Sequence, residues 1–124
     1  MKKSLLFILG LILITITSCE YNTFEPVVVE LPDEPISFAT DVEPIFSVSE
    51  ANCTQCHGNS GGLTLETGNA FQSIMDNGLV DTANPEESKI YEYPSLTGGH
   101  SYKRYSPTQA AYVLQWIKEG AEDN

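Results

Sequence analysis

The feature that most restricts how this chain can fold is the pentapeptide Cys53-Thr54-Gln55-Cys56-His57. Two cysteines separated by two residues, with a histidine directly after the second, form the attachment signature of a c-type haem. At this spacing both thiols can form thioether bonds to the two vinyl groups of one flat macrocycle, and the adjacent imidazole can reach the iron as the proximal ligand. Cys53, Cys56 and His57 are therefore predicted to hold haem c and its iron.

Three other uses of these cysteines stay open from the sequence. A C-x-x-C pair can be a thiol redox site, but the βαβ pattern typical of such sites does not surround this one. A zinc site needs about four nitrogen or sulfur ligands, and His100 is the only other histidine that could complete one. A structural disulfide suits an oxidising compartment, but it gives no reason for the histidine at position 57.

The start of the chain is expected to direct export and lipid attachment. Two early lysines are followed by an apolar run from Leu5 to Ile16 that is too short to span a bilayer comfortably, which is the pattern of a signal peptide. The run ends in Ile-Thr-Ser-Cys, similar to the lipobox of bacterial lipoproteins. Residues 1–18 are therefore predicted to be removed and Cys19 to be lipidated, with an uncleaved membrane anchor as the alternative. Either outcome places the domain extracytoplasmically at the cell envelope, on the periplasmic side or at the outer membrane.

The remaining chain is strongly acidic. The full sequence has 6 basic and 17 acidic residues, and removal of two lysines with the signal peptide leaves four basic residues against 17 acidic ones, a net charge of −13. Such a surface repels nucleic acid and anionic lipid head groups, so no nucleic-acid partner is expected. A redox partner protein is expected to offer a basic or an uncharged contact surface.

An extended tether is predicted over residues 19–37, which contain three prolines and five acidic residues, because prolines at this density discourage a helix. The folded domain is predicted over residues 38–122. A capping-box pattern beginning at Thr40 predicts its first helix, which leads toward Cys53. The apolar stripe of that helix is Val42, Ile45 and Phe46.

Two further helices are predicted after the pentapeptide. Leu63 and Leu65 lie in a loop expected to cover one edge of the macrocycle. The first of the two helices has the stripe Ala70, Phe71, Ile74 and Met75 and is stopped by Gly78. The last has Ser106 as N-cap, Pro107 at the first position and Gln109 at the third, and it ends at Gly120. Its apolar face is predicted to be Ala110, Val113, Leu114 and Ile117, with Trp116 beside that face.

Taken together, these segments resemble the small class I-like c-type cytochrome domains of bacterial envelope lipoproteins, in particular the planctomycete-type cytochrome c domain. The shared patterns are Asp-Val-x-Pro-Ile-Phe before the pentapeptide, then Gly-Gly-Leu-x-Leu, Ser-x-Ile-Tyr and a final Trp-Ile-x-x-Gly-Ala, over about residues 38–122. The resemblance implies an all-α, class I-like cytochrome c fold with three to four helices around a covalent haem. It also implies that the first and last helices cross near the haem, with Phe46 and Trp116 in their contact.

The resemblance does not supply the sixth iron ligand, because the Met-Pro pair that such domains place before the last helix is absent here. His100 lies in that segment, and the adjacent Gly98 and Gly99 allow the backbone to turn it inward. Met75, the only methionine outside the signal peptide, is the rival. An open or water-filled site is the third alternative.

The function expected from these features is electron transfer without a bound substrate, so the chain is expected to be a carrier and not an enzyme. Two alternatives belong to other classes. One is a haem enzyme or sensor with an open sixth iron position. The other is a lipoprotein without haem whose cysteines form a disulfide or bind zinc.

Overall fold

The computed structural model of the chain describes residues 28–48, 51–58, 62–102 and 104–124. Within these ranges the secondary structure is helical and contains no strand, which confirms the all-α prediction for this part of the chain. None of its helices is long and apolar enough to cross a membrane. The predicted signal peptide, the lipidation site Cys19 and the tether as far as residue 27 lie outside the described residues.

The helices are short and are joined by tight turns. A π-helical turn and a 3-10 turn come first, and a second 3-10 turn contains the first cysteine of the pentapeptide. Three α-helices follow, with one further 3-10 turn between the first and the second. In chain order the elements are the π turn Phe38–Val42, the 3-10 turns Glu43–Phe46 and Cys53–Gln55, α1 (Ala70–Asp76), the 3-10 turn Pro85–Glu87, α2 (Lys89–Glu92) and α3 (Pro107–Lys118).

The first helical segment begins three residues earlier than its capping pattern predicts. Ser37 is the N-cap: its hydroxyl accepts a hydrogen bond from the Thr40 amide at 3.3 Å, and the Asp41 carboxylate accepts one from the Ser37 amide at 2.8 Å. The prediction that Thr40 caps this helix is therefore wrong. The cap spans four residues because the first turn is a π turn, and Pro44, which has no amide hydrogen, is accommodated by a change to 3-10 geometry.

Four aromatic rings form the centre of the core. The Phe38 ring lies 5.0 Å from that of Trp116, 5.2 Å from that of Phe71 and 6.5 Å from that of Phe46, measured between ring centroids. The first helical segment and α3 are therefore packed against each other. Trp116, predicted to lie beside the apolar face of α3, is buried in it, whereas Leu114 is only half-buried.

The end of the chain closes this core from the other side. The Ile36 amide donates to the Glu119 carboxylate at 2.7 Å. The Phe38 amide donates to the Asn124 side-chain oxygen at 2.7 Å, and the Ala39 amide to the Asn124 carbonyl at 3.1 Å. Two segments far apart in the sequence thus satisfy each other's backbone groups, and the packed part of the chain starts at the buried Ile36.

Two predicted helix boundaries are confirmed. After α1, Gly78 adopts a φ of +60°, its amide donates to the Met75 carbonyl, and the Leu79 amide donates to the Ile74 carbonyl, which is the Schellman arrangement. On α1 itself Met75 does not belong to the buried stripe, because its side chain is 40% exposed. α3 starts with the predicted capping box, in which Ser106 and Gln109 exchange hydrogen bonds of 2.9 and 3.2 Å.

Candidate functional site

An apolar cavity of about 560 Å³ lies between the pentapeptide and the chain around α2. This volume falls in the range of roughly 300–1,000 Å³ that small-molecule and cofactor sites have. Its walls are mainly apolar and carry only a few nitrogen and sulfur groups. The apolar walls include Leu63, Leu65, Leu79, Ile90, Pro94 and Tyr105.

The pentapeptide turns tightly, so its three chemically active side chains reach one cavity. The Cys56 and His57 amides both donate to the Cys53 carbonyl, at 3.1 and 2.8 Å. Asn52, just before the turn, has a φ of +33°, a left-handed conformation that asparagine tolerates better than most residues. Cys53, Cys56 and His57 all line the cavity, as a common attachment and ligation site requires.

The loop after the pentapeptide folds back on it. The Leu65 amide donates to the His57 carbonyl at 2.7 Å, and the Thr64 hydroxyl donates to the Gly58 carbonyl at 3.2 Å. These bonds hold Leu63 and Leu65 at the cavity, and Leu65 is buried.

The electrostatics of His57 favour a neutral imidazole. Burial, and to a smaller extent the charge of His100 nearby, lower the pKa of His57 below its usual value. A neutral imidazole has a lone pair available, and it is the form of histidine that binds metals.

His57 and His100 both line the cavity, and their rings lie close together. Their ring centroids are 6.2 Å apart and their planes differ by 44°. Two imidazoles that bind one metal ion from opposite sides, each through a nitrogen about 2 Å from the metal, have ring centres about 6 Å apart. The observed spacing therefore suits one metal ion between the two rings, whereas the rival Met75 is not among the residues that line the cavity.

Tyr105 forms part of the cavity wall and was not identified as a site residue from the sequence. Tyr105 is 2% exposed, and its hydroxyl donates to the Ile90 carbonyl at 3.0 Å. Burial, and to a smaller extent the charge of nearby Cys53, raise the pKa of Tyr105 well above its usual value, so its hydroxyl stays protonated. Pro94 is the sequence feature that could have indicated this bond. It lies four residues after Ile90 and has no amide hydrogen, so the Ile90 carbonyl needs a donor other than the next turn of the helix.

Lys89 is a second residue that sequence reasoning missed. Among the described residues that line the cavity it is the only lysine or arginine, and no aspartate or glutamate lines the cavity with it. Lys118, by comparison, pairs with Glu86 at 3.6 Å, whereas Lys89 makes no ion pair within the described part of the chain. Its ammonium group is therefore available to an anionic group in the cavity.

The donor set that lines the cavity fits the needs of a haem. No cluster of three or more histidine, cysteine, aspartate or glutamate side chains that could hold a metal occurs in residues 28–48, 51–58, 62–102 and 104–124. A closed zinc site needs about four protein ligands. A haem would bring four nitrogen ligands of its own and need only one or two from the protein, which the imidazoles of His57 and His100, with centroids 6.2 Å apart, could supply.

Comparison of the chain with models of protein families, with curated proteins and with solved structures finds no match. The similarity to class I-like cytochrome domains therefore stays a prediction from the sequence. The properties of the site follow from the chain's own residues and their geometry.

Proposed function

We propose that this protein is an electron carrier that holds one c-type haem covalently, as a class I-like cytochrome c domain. The observation that carries the proposal is the meeting of Cys53, Cys56, His57 and His100 at one apolar cavity of about 560 Å³. Three of these residues are neighbours in the sequence. The fourth comes from a distant segment, and its ring lies 6.2 Å from that of His57.

Each residue has a separate task in this proposal. Cys53 and Cys56 form the two thioethers, His57 is the proximal ligand and His100 the distal one. Lys89 provides the positive charge that pairs with a haem carboxylate. A haem held in this way supplies one-electron exchange at its iron.

The apolar walls support the same function. Leu65 and Ile90 are each 4% exposed and line the cavity, so the part of the wall that they form is shielded from water. Exclusion of water favours a fixed ligand set and strengthens the influence of nearby charges on the iron. An electron carrier needs surroundings that change little when its redox centre gains or loses an electron.

The closeness of the His57 and His100 imidazoles favours a carrier over a haem enzyme or sensor. An enzyme that activates peroxide or oxygen, or a sensor that binds a gas, needs an open position on the iron. His57 and His100 together would fill both axial positions, which leaves no position for a substrate.

Replacement of His100 by alanine tests the ligand set. The unmodified protein is expected to give a low-spin ferric spectrum and to bind no carbon monoxide when reduced. His100→Ala should turn high-spin and bind carbon monoxide, whereas the control Met75→Leu should match the unmodified protein. A low-spin spectrum that survives His100→Ala, or is lost in Met75→Leu, would exclude the proposed ligand.

Covalent attachment is tested separately. Expression with a haem-attachment system should give a protein whose mass includes one haem and which stains for haem on a denaturing gel. Replacement of both Cys53 and Cys56 by serine should abolish the stain. If the unmodified protein has the mass of the bare polypeptide, the disulfide or zinc alternative takes the place of the proposal.

The carrier is proposed to be lipid-anchored at the bacterial cell envelope through Cys19 and to exchange electrons with a redox partner protein. Cys19→Ala should release the protein from membranes or block its processing. Ser18→Ala, which keeps a small residue before the cysteine, is the control and should stay membrane-bound. Unchanged membrane attachment together with an unchanged mass in Cys19→Ala would refute the anchor.

A further inference from the structure

The segment of residues 92–100, named here the distal loop, brings His100 to the cavity and is closed by its own backbone. The His100 amide donates to the Tyr93 carbonyl at 3.1 Å, and the Gly98 amide donates to the Ser95 carbonyl at 3.1 Å. A Cβ atom on Gly98 would collide with the carbonyl oxygens of Glu92 and Tyr93. The two ends of the loop are thus in direct backbone contact, which fixes the position from which the His100 side chain starts.

The Tyr93 ring lies against that side chain. The Tyr93 and His100 rings have centroids 5.9 Å apart and planes at 85°, an edge-to-face contact. A Cβ atom on Gly99 would lie 3.1 Å from Cε2 of Tyr93, so the ring also covers the backbone next to His100. Tyr93 lines the cavity although its side chain is 57% exposed.

The backbone of Tyr93 is held by the buried core. Its neighbour Pro94 accepts a hydrogen bond from the Tyr105 amide at 2.9 Å, and the Tyr105 hydroxyl donates to Ile90 at 3.0 Å. The ring therefore starts from an anchored backbone while its outer face is in solvent. Its contact with His100 adds little to the core, but it restricts how the imidazole can turn.

We propose that Tyr93 is a positioning residue that fixes the rotation of the His100 imidazole about its bond to the metal, and with it the 44° angle between the two imidazole planes. The proposal rests on the proposed function, in which His57 and His100 are both axial ligands. An imidazole bound through one nitrogen can turn about that bond unless a neighbour restrains it, and such neighbours are how proteins orient metal ligands. The angle between the planes of two axial imidazoles affects the energies of the iron orbitals, one of which holds the unpaired electron of low-spin ferric iron. The electron paramagnetic resonance spectrum therefore depends on this angle.

Two variants of the haem-loaded protein separate the ring from the rest of the side chain. Tyr93→Leu removes the aromatic ring and keeps apolar bulk, whereas Tyr93→Phe keeps the ring and is the matched control. In Tyr93→Leu the low-field line of the low-spin ferric signal should shift, broaden or give way to a high-spin signal. In Tyr93→Phe the line should coincide with that of the unmodified protein. Because Tyr93 is largely exposed, both variants are expected to fold and to contain one haem.

The contrary outcomes are distinct. A Tyr93→Leu signal identical to that of the unmodified protein overturns the role of Tyr93 and leaves the proposed function intact. A Tyr93→Phe signal that shifts as far as that of Tyr93→Leu also overturns it, because the hydroxyl and not the ring would then matter. Absence of haem, or a high-spin signal from the unmodified protein, overturns the proposed function and the role of Tyr93 with it.

Discussion

Replacement of Tyr105 by phenylalanine removes one oxygen atom from the wall of the cavity and is expected to have a measurable cost. The hydroxyl donates to the Ile90 carbonyl at 3.0 Å, and Ile90 itself is 4% exposed. The helical partner of this carbonyl would be the amide of residue 94, which is a proline. The substitution therefore leaves a buried acceptor without its donor, which costs about 1–3 kcal/mol of unfolding free energy.

The pH dependence of this cost follows from the pKa of Tyr105. In the folded protein the pKa is raised above the value of about 10 that a phenol has in the unfolded chain. A group whose pKa is higher in the folded than in the unfolded state stabilises the protein fully below the unfolded-state pKa. This stabilisation decreases as the pH rises above the unfolded-state pKa. From this group alone the unmodified protein loses about 1.4 kcal/mol for each pH unit above 10, and Tyr105→Phe loses nothing. The difference of about 1–3 kcal/mol near pH 7 should therefore vanish between about pH 11 and pH 12.

Urea unfolding of the purified proteins, followed by far-ultraviolet circular dichroism, measures both effects. Tyr112→Phe is the control, because Tyr112 is half-buried and its hydroxyl makes no hydrogen bond to the described residues. Its unfolding free energy should stay within about 0.5 kcal/mol of that of the unmodified protein. A cost for Tyr105→Phe no larger than that of the control, or one that stays constant into strong alkali, would refute the buried hydrogen bond.

Three further predictions concern the charge of Lys89, the contact between Asn124 and Phe38, and the distal loop. Lys89→Gln should lower the midpoint potential by roughly 20–70 mV, which is the effect of one charge about 10 Å from the iron at an effective dielectric constant between 80 and 20. The control is Lys118→Gln, which removes a charge paired with Glu86. An equal change of potential in both variants would contradict the role of Lys89. Asn124→Ala removes the acceptor of the Phe38 amide and should cost about 1 kcal/mol in thermal unfolding, so an unchanged melting temperature would count against this contact. Gly98→Ala should open the distal loop and give a high-spin ferric spectrum, and a spectrum still low-spin would show that the loop tolerates a Cβ.

Local hydrogen-bonding patterns were the most predictable part of the fold. Ser106 and Gln109 form the predicted capping box, and Gly78 ends α1 as predicted, since each depends on residues within five positions of one another. The first helix shows the limit of such reasoning. Thr40 and Glu43 match a capping-box pattern, yet Ser37 is the cap. It begins a π turn whose Phe38 amide is bonded to Asn124, a contact that no local pattern indicates.

The predictable part of the site was likewise its local part. Cys53, Cys56 and His57 are held to one cavity by a turn of five residues, so their spacing was enough to predict a shared site. Lys89 and Tyr105 were missed because nothing in their immediate sequence indicates a cavity. They line it only because α2 and the chain before α3 pack against the pentapeptide.

By itself, the sequence predicted that Cys53, Cys56 and His57 share one site, that the described chain is helical, and where its best-capped helices begin or end. Each depends on contacts between near neighbours, whose geometry is limited by few backbone angles. Only the tertiary structure decided that the His100 ring lies 6.2 Å from that of His57 and that His100, but not Met75, lines the cavity. The physical reason is that contacts between distant segments follow from how the whole core packs. The periodicity of apolar residues specifies which face of a helix is apolar, but not which segment packs against that face.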